Sequence, residues 1–303
     1  MIYTLSLNPA LDCHVFLDAL APDKINFASS VGYIAGGKGI SVSKALKKLG
    51  CDNTALGFVG GFAGGFIENA MQNVGVGCDF VRIADDTRTN VKLKMPVEEF
   101  EIAGKSHTVT DENIRELIEK VKRLKSGDTL IMSGSIPESL PRDFYKRLAG
   151  KLAPGVRTVL DTRGKDILKN LCGNFLIKPN IFEFCEAVGI HTASPREIAE
   201  AAEIFIKTGA EHIIVSMGEH GAVYVNEHGA FLAESPKGRV VSTIGAGDSM
   251  VAGFLYDFDR TNDSVSAFKY ASAFGSATAF SAEIADKNMV EELLERINIT
   301  KLI

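Results

Sequence analysis

Short apolar runs and longer amphipathic stretches take turns along this chain. Residues 3–7, 55–59, 129–132, 156–160, 175–177 and 212–216 are brief apolar runs, the pattern of strands buried on both faces. Between them apolar positions recur every three or four residues. Val42, Ala45, Leu46 and Leu49 form one such stripe. Ile114, Leu117, Ile118, Val121 and Leu124 form the clearest, predicting a helix over 111–125 that Lys125-Ser126-Gly127 ends. A further helix is expected over 195–208. This alternation predicts an α/β fold, a doubly wound, mostly parallel sheet with helices on both faces. Residues 222–226 and 230–233 read as a hairpin about Glu227-His228-Gly229, and 264–280 is rich in Ala and Ser, which allow close packing.

Two stretches break the helical period. Residues 13–35 alternate as short strands interrupted at Ala21-Pro22-Asp23. In 88–97, Val91, Leu93, Met95 and Val97 share one face while Asn90, Lys92 and Lys94 share the other. They predict a small β structure apart from the main sheet.

Glycine-rich turns follow several of the strands. Gly60-Gly61-Phe62-Ala63-Gly64-Gly65 leads to a helix through Asn73, but it lacks the G-x-G-x-x-G of a dinucleotide site. Gly36-Gly37-Lys38-Gly39 opens the helix of the first stripe, with Gly50 as its C-cap. Its spacing from Gly32 approaches a Walker A loop, yet Gly39 stands where that loop needs a hydroxyl for magnesium. In 242–255, a β-rich run at 239–243 precedes Gly245-Ala246-Gly247-Asp248, and Met250, Val251, Phe254 and Leu255 then follow at helical spacing. A nearly side-chain-free turn at a helix N-terminus points backbone N–H groups at an anion. A carboxylate beside it, Asp248, suits a base that takes a hydroxyl proton while those amides stabilise a transferring phosphoryl group. An ordinary Asp cap would carry the same pattern.

Composition narrows the chemistry. The 303 residues carry a net charge of −5 without a basic cluster, which argues against nucleic acid as a partner. Five cysteines without a CxxC pair read as reduced packing residues. The six histidines have no metal-ligand spacing, and no G-x-S-x-G elbow occurs. No secretory signal or membrane-spanning run is apparent, so a cytoplasmic protein with no membrane partner is expected.

Ala35-Gly36-Gly37-Lys38-Gly39 and Gly245-Ala246-Gly247-Asp248-Ser249, in this order, resemble the two signatures of the PfkB/ribokinase family of sugar kinases, and the resemblance runs from Ile2 to about residue 285. It implies a single ribokinase-like domain over 1–303 with a small β-sheet lid from segments of about 13–35 and 88–106. It also implies ATP and Mg²⁺ as cofactors, and a homodimer formed through the lids. By that resemblance the catalytic turn is Gly245, Ala246, Gly247 and Asp248. Substrate would meet Asp12, Gly36, Gly37, Lys38, Ser41, Arg88, Asn90, Lys92 and Ser135. Lys178, Gly247 and the loop of Ser216, Gly218, Glu219, His220 and Gly221 would hold ATP. Asn180 and Glu183, an N-x-x-E element that is otherwise a capping pattern, would organise Mg²⁺ through waters.

An Arg at position 88 matches family members whose substrate already carries a phosphate. The expected acceptor is therefore a ketose phosphate, fructose 1-phosphate first and tagatose 6-phosphate as the alternative. A sugar-phosphate sensor without turnover is the reading of another class. Three departures stand out: Ser41 replaces the family's sugar-binding Asn, 101–106 lacks the usual Gly-Pro, and Phe27 stands where many relatives have Arg.

Overall fold

The structure, a computed structural model, describes residues 1–191 and 194–303. Strand β1 (Ile2–Ser6) starts the main sheet, and the chain then leaves it for β2 (Ala10–Phe16) and β3 (Ser30–Gly36). Helix α1 (Lys38–Lys48) brings it back to β4 (Asn53–Val59), α2 (Gly61–Asn73) and the two-residue strands β5 (Gly77–Cys78) and β6 (Val81–Arg82). A second excursion, β7 (Thr89–Lys94) and β8 (Glu99–Ile102), precedes α3 (Asp111–Val121) and β9 (Thr129–Ser133). Strand and helix then alternate through α4 (Phe144–Ala149), β10 (Arg157–Asp161), α5 (Gly164–Ile167), β11 (Leu176–Ile177), α6 (Ile181–Val188), α7 (Pro195–Lys207) and β12 (His212–Ser216). The hairpin β13 (Ala222–Asn226) and β14 (Gly229–Ala233) follows, then α8 (Ala246–Thr261), α9 (Ser264–Ala279), α10 (Lys287–Leu294) and β15 (Ile299–Lys301).

The main sheet runs β15-β14-β13-β12-β11-β10-β9-β1-β4-β5, with β6 also paired to β4. It is parallel from β12 to β5 and antiparallel where β13, β14 and β15 extend one edge. Strand order reverses between β1 and β9. Open α/β sheets bind ligands at such a point, beyond the carboxyl ends of the strands. Successive strand residues face opposite layers: Leu130 and Met132 pack under α3 and α4, whereas Ile131 packs under α1 and α8. Both faces are covered, which is why the strands read as unbroken apolar runs rather than alternating ones.

The other sheet, β3-β2-β7-β8, holds both period-2 stretches. Two hairpins, β2–β3 and β7–β8, are joined by parallel pairing of β2 with β7. Register places Asp12 opposite Asn90 and His14 opposite Lys92, so the polar residues share one face. Cys13, Val15, Val31, Tyr33, Val91, Leu93, Phe100 and Ile102 share the other. Much of that apolar face is open, with Tyr33 55% and Ile102 58% exposed.

Three expectations need correction. Residues 239–243 are not a strand. Val240 and Val241 are each 56% exposed, and the amides of Val241 and Ser242 bond to the Ala279 carbonyl at the end of α9. A helix end offers a lone acceptor where a ladder would need a strand. The glycines of 61–65 are not a loop before a helix but lie within α2, whose first turn packs Gly64 against Val59 and Thr87. The predicted helix over 111–125 stops at Val121, and Leu124 continues its stripe from a turn.

Candidate active site

The ends of β10 and β11 and the starts of α1, α6 and α8 meet beyond the carboxyl edge of the sheet. Gly37 caps α1 at φ 119°, a conformation open to glycine and costly for other residues, which lets Lys38 enter the site from the first helical position. Lys38 Nζ sits 2.9 Å from Asp161 Oδ1 and 2.9 Å from Glu183 Oε1. Asp161 ends β10 and is held by its neighbours: its carbonyl accepts from Gly134 N at 2.8 Å, and Thr162 Oγ1 donates to Gly134 O at 2.9 Å. Its side chain is fully buried, and Lys178 Nζ approaches Oδ1 at 3.7 Å. A Cβ on Gly247 would lie 3.0 Å from Lys178 Nζ, so the missing side chain lets that lysine reach the first turn of α8.

Asp248 stands in the same turn, buried, with Ser249 tied behind it to Thr278 of α9 at 2.9 Å. Burial first, and Asp161 second, push its carboxyl up to about 7, against the pull of Lys38, Lys178 and a hydrogen bond from Ser41. Burial likewise pulls on the Lys38 ammonium, but Asp161 and Glu183 outweigh it and hold its pKa above the usual range. A base poised near neutrality beside two cations is suited to accept a hydroxyl proton. The amides of Gly247 and Asp248 lie in the first turn of α8, where a helix has no internal acceptor for them.

A cleft of 920 Å³ opens from this cluster. Lys38, Asp161, Lys178, Asn180, Ser216, Gly218, Glu219, His220, Gly221, Gly245, Ala246, Gly247 and Asp248 line it. Phe182, Val240 and Phe280 add apolar wall, enough for a flat heterocycle with phosphates toward the lysines. Asp12, Ser41, Arg88, Asn90, Lys92 and Ser135 are not among its lining residues. Apart from Ser41, they gather at the small β3-β2-β7-β8 sheet and its root. Asp12 lies within β2 rather than in the loop after the first strand; it accepts from Asn90 Nδ2 at 2.8 Å and lies 3.7 Å from Lys92 Nζ. Gly36 ends β3 directly against the Asp12 carboxylate.

Arg88 is half-buried at the root of the small sheet, just before β7. One guanidinium nitrogen donates to Asn8 O at 3.3 Å, and its Nε has no partner. Burial and the neighbouring Arg163 disfavour its charge, a tension that an incoming phosphate would relieve. Asn8 Nδ2 reaches Ser106 Oγ at 2.8 Å and Ser135 Oγ at 3.1 Å, while Asn8 Oδ1 stays buried without a partner.

Asn180 and Glu183 do form a capping box: Asn180 Oδ1 accepts from Glu183 N at 2.8 Å, and Glu183 Oε2 accepts from Asn180 N at 3.0 Å. That leaves Glu183 Oε1 facing the site. Among the described residues no three His, Cys, Asp or Glu side chains are placed to hold a metal by themselves. Two carboxylates, with the Asp161 Oδ2 unpartnered, fit an ion such as magnesium that keeps waters and takes phosphate oxygens for the rest. Asp161, Asn8 and Arg163 were missed from sequence. The signal for Asp161 was a lone carboxylate at the carboxyl end of an apolar run.

Against known proteins, the profile described as pfkB family carbohydrate kinase matches residues 8–288. The chain is 39% identical over 301 residues to a 1-phosphofructokinase of Borreliella burgdorferi, covering 99% of this chain and 98% of that protein. It is 36% identical over 305 residues, the full length of both, to a D-tagatose-1-phosphate kinase of Bacillus licheniformis. Its fold matches phosphofructokinase-2 of Escherichia coli in complex with fructose-6-phosphate, with a TM-score of 0.90, 25% identity, and 97% of this chain and 98% of that one covered. The longest helices, α8 and α9, have 16 residues, and no described helix is long and apolar enough to cross a membrane.

Proposed function

The chain belongs to the pfkB family of carbohydrate kinases, and from that premise we propose that it transfers the γ-phosphoryl group of ATP to the 6-hydroxyl of fructose 1-phosphate, giving fructose 1,6-bisphosphate. The observation that carries a phosphorylated acceptor is Arg88. It is half-buried, unsatisfied at Nε and crowded by Arg163, so it is held ready for an anion other than the nucleotide. Full-length identity to a 1-phosphofructokinase supports the choice of sugar.

In this reading nucleotide lies in the 920 Å³ cleft with its base toward Phe182, Val240 and Phe280. Asp12 and Asn90 hold sugar hydroxyls from the lid, Arg88 grips the existing phosphate, and Ser135 with Asn8 lines the root. Asp248 takes the proton of the attacking hydroxyl. The amides of Gly247 and Asp248, with Lys38 and Lys178, stabilise charge on the group in flight. Asp161 and Glu183 are the residues that would hold magnesium. The ion, when bound, neutralises charge on the nucleotide phosphates. Closing the β3-β2-β7-β8 sheet over the sugar keeps water from the phosphoryl group. Its opposite, apolar face is proposed as the contact between two copies of the chain.

A tagatose phosphate is the second reading, favoured by the full-length likeness to a D-tagatose-1-phosphate kinase. Tagatose and fructose differ in configuration at one carbon, so a coupled ADP-release assay with fructose 1-phosphate, tagatose 1-phosphate and tagatose 6-phosphate decides between them. The highest kcat/KM is expected with fructose 1-phosphate; unphosphorylated fructose as the best acceptor would overturn the assignment. Arg88→Ala should raise KM for the sugar phosphate by an amount equivalent to about 1.5–3 kcal/mol while leaving the KM for ATP nearly unchanged.

A further inference from the structure

Lys38 occupies the kind of place a metal ion takes. One ammonium bridges two carboxylates, Asp161 Oδ1 and Glu183 Oε1, each at 2.9 Å. The two acids come from different elements and are fixed there, Asp161 by the end of β10 and Glu183 by the capping box of α6. Asp161 is 1% exposed, lines the cleft, and has an Oδ2 without any hydrogen bond. Lys178, at 3.7 Å, is the other cation near it. Asp161 Oδ2 therefore stays open to a further positive partner even with both lysines in place.

Lysine is a point charge on a flexible four-carbon stem, so Lys38 can leave while the carboxylates stay. A divalent cation offers the same oxygens twice the charge and accepts the phosphate oxygens that arrive with it. We infer that Lys38 is a placeholder cation, holding Asp161 and Glu183 in the nucleotide-free protein, yielding their oxygens to a divalent metal, and thereby becoming available to the transferring phosphoryl group. The inference rests on the kinase reading above. It makes Lys38 a positioning residue for the metal before it is a ligand of the phosphate, with the two tasks in sequence.

The test is Mn²⁺ binding to the full-length, nucleotide-free protein, followed by the paramagnetic resonance signal of free Mn²⁺. Wild type is compared with Lys38→Met, Lys38→Gln and Lys38→Arg. If the ammonium fills the place about nine-tenths of the time, removing it raises apparent metal affinity about tenfold. The Met and Gln variants should show that gain and lose it to added Mg²⁺, whereas Lys38→Arg, which keeps the charge, should bind no more tightly than wild type. Should the neutral variants fold poorly without metal, their melting temperatures are followed against Mn²⁺. A rise that wild type does not share supports the inference, and no rise overturns it. Equal affinity in all four proteins, or weaker binding in the neutral variants, also overturns it. No sugar or nucleotide is present, so the two readings fail separately. A turnover-competent enzyme with four equal affinities would sink the placeholder alone. The predicted affinities in a protein that phosphorylates no sugar phosphate would sink the proposed function alone.

Discussion

Burial and a neighbouring carboxylate keep the proton on Asp248 until the pH nears neutrality, and under the proposed function this sets when it can accept the hydroxyl proton. With its carboxyl pushed up to about 7, kcat/KM should fall on the acid side with an apparent pKa near that value. Asp161→Asn, by removing the like charge, should move that limb toward lower pH. Asp248→Asn should lower kcat by about 10²–10⁴-fold with nucleotide affinity nearly intact; retention of most turnover would remove Asp248 from the chemistry. The same shift has a stability consequence. The folded carboxyl binds its proton more tightly than the ordinary value of 3.8, so between that value and about 7 the folded state carries the extra proton. Stability therefore falls as pH rises through this window, and the cost is complete above it. Asp248→Asn removes the cost, so its melting temperature relative to wild type should be higher at pH 8 than at pH 5. The opposite order would mean that the ionised form is not the strained one.

At the scale of elements, the proposed function makes the small sheet a lid that couples sugar to closure. Asp12 and Asn90 sit on β2 and β7, opposite each other in register, while Arg88 sits where β7 leaves the body. A sugar phosphate touching all three adds contacts to the closed arrangement and favours it. Residues 13–35 and 88–106 should gain protection from hydrogen exchange when sugar phosphate binds, while α3 changes little. Equal protection with and without ligand would indicate a lid already rigid. These elements were legible in sequence because a period of two over 88–97 separates polar from apolar faces without help from the rest of the chain. The two glycine turns were legible for a similar reason, since a helix start after glycines is a local pattern. Asp161 was not. Its meaning lies in Lys38 and Glu183, and nothing within a window around residue 161 announces a partner 123 positions away. The segment 239–243 failed in the opposite sense, because β-branched residues favour a strand only where another strand is there to pair. The metal role read into Asn180 turned on one oxygen, and the helix cap takes it.

For the whole molecule, the open apolar face of the lid is where association should occur. Tyr33, Val31, Phe100 and Ile102 are each about half exposed or more on one continuous sheet face, apart from the edge where Tyr33 meets Phe66. If two copies cover these faces, sedimentation should give a dimer, and Ile102→Lys should shift it to monomer without unfolding the main sheet. A monomeric wild type would end the proposal. The position of β1 carries a different consequence, for how the chain is made. It is made before either of its neighbours, β4 and β9, and its Ile2 pairs with Thr129 far along the chain. At roughly 5–20 residues per second, a ribosome needs on the order of ten seconds to deliver β9 after β1 has emerged. Throughout that interval a central strand has at least one edge open, so nascent chains are exposed to misassociation until β9 has emerged.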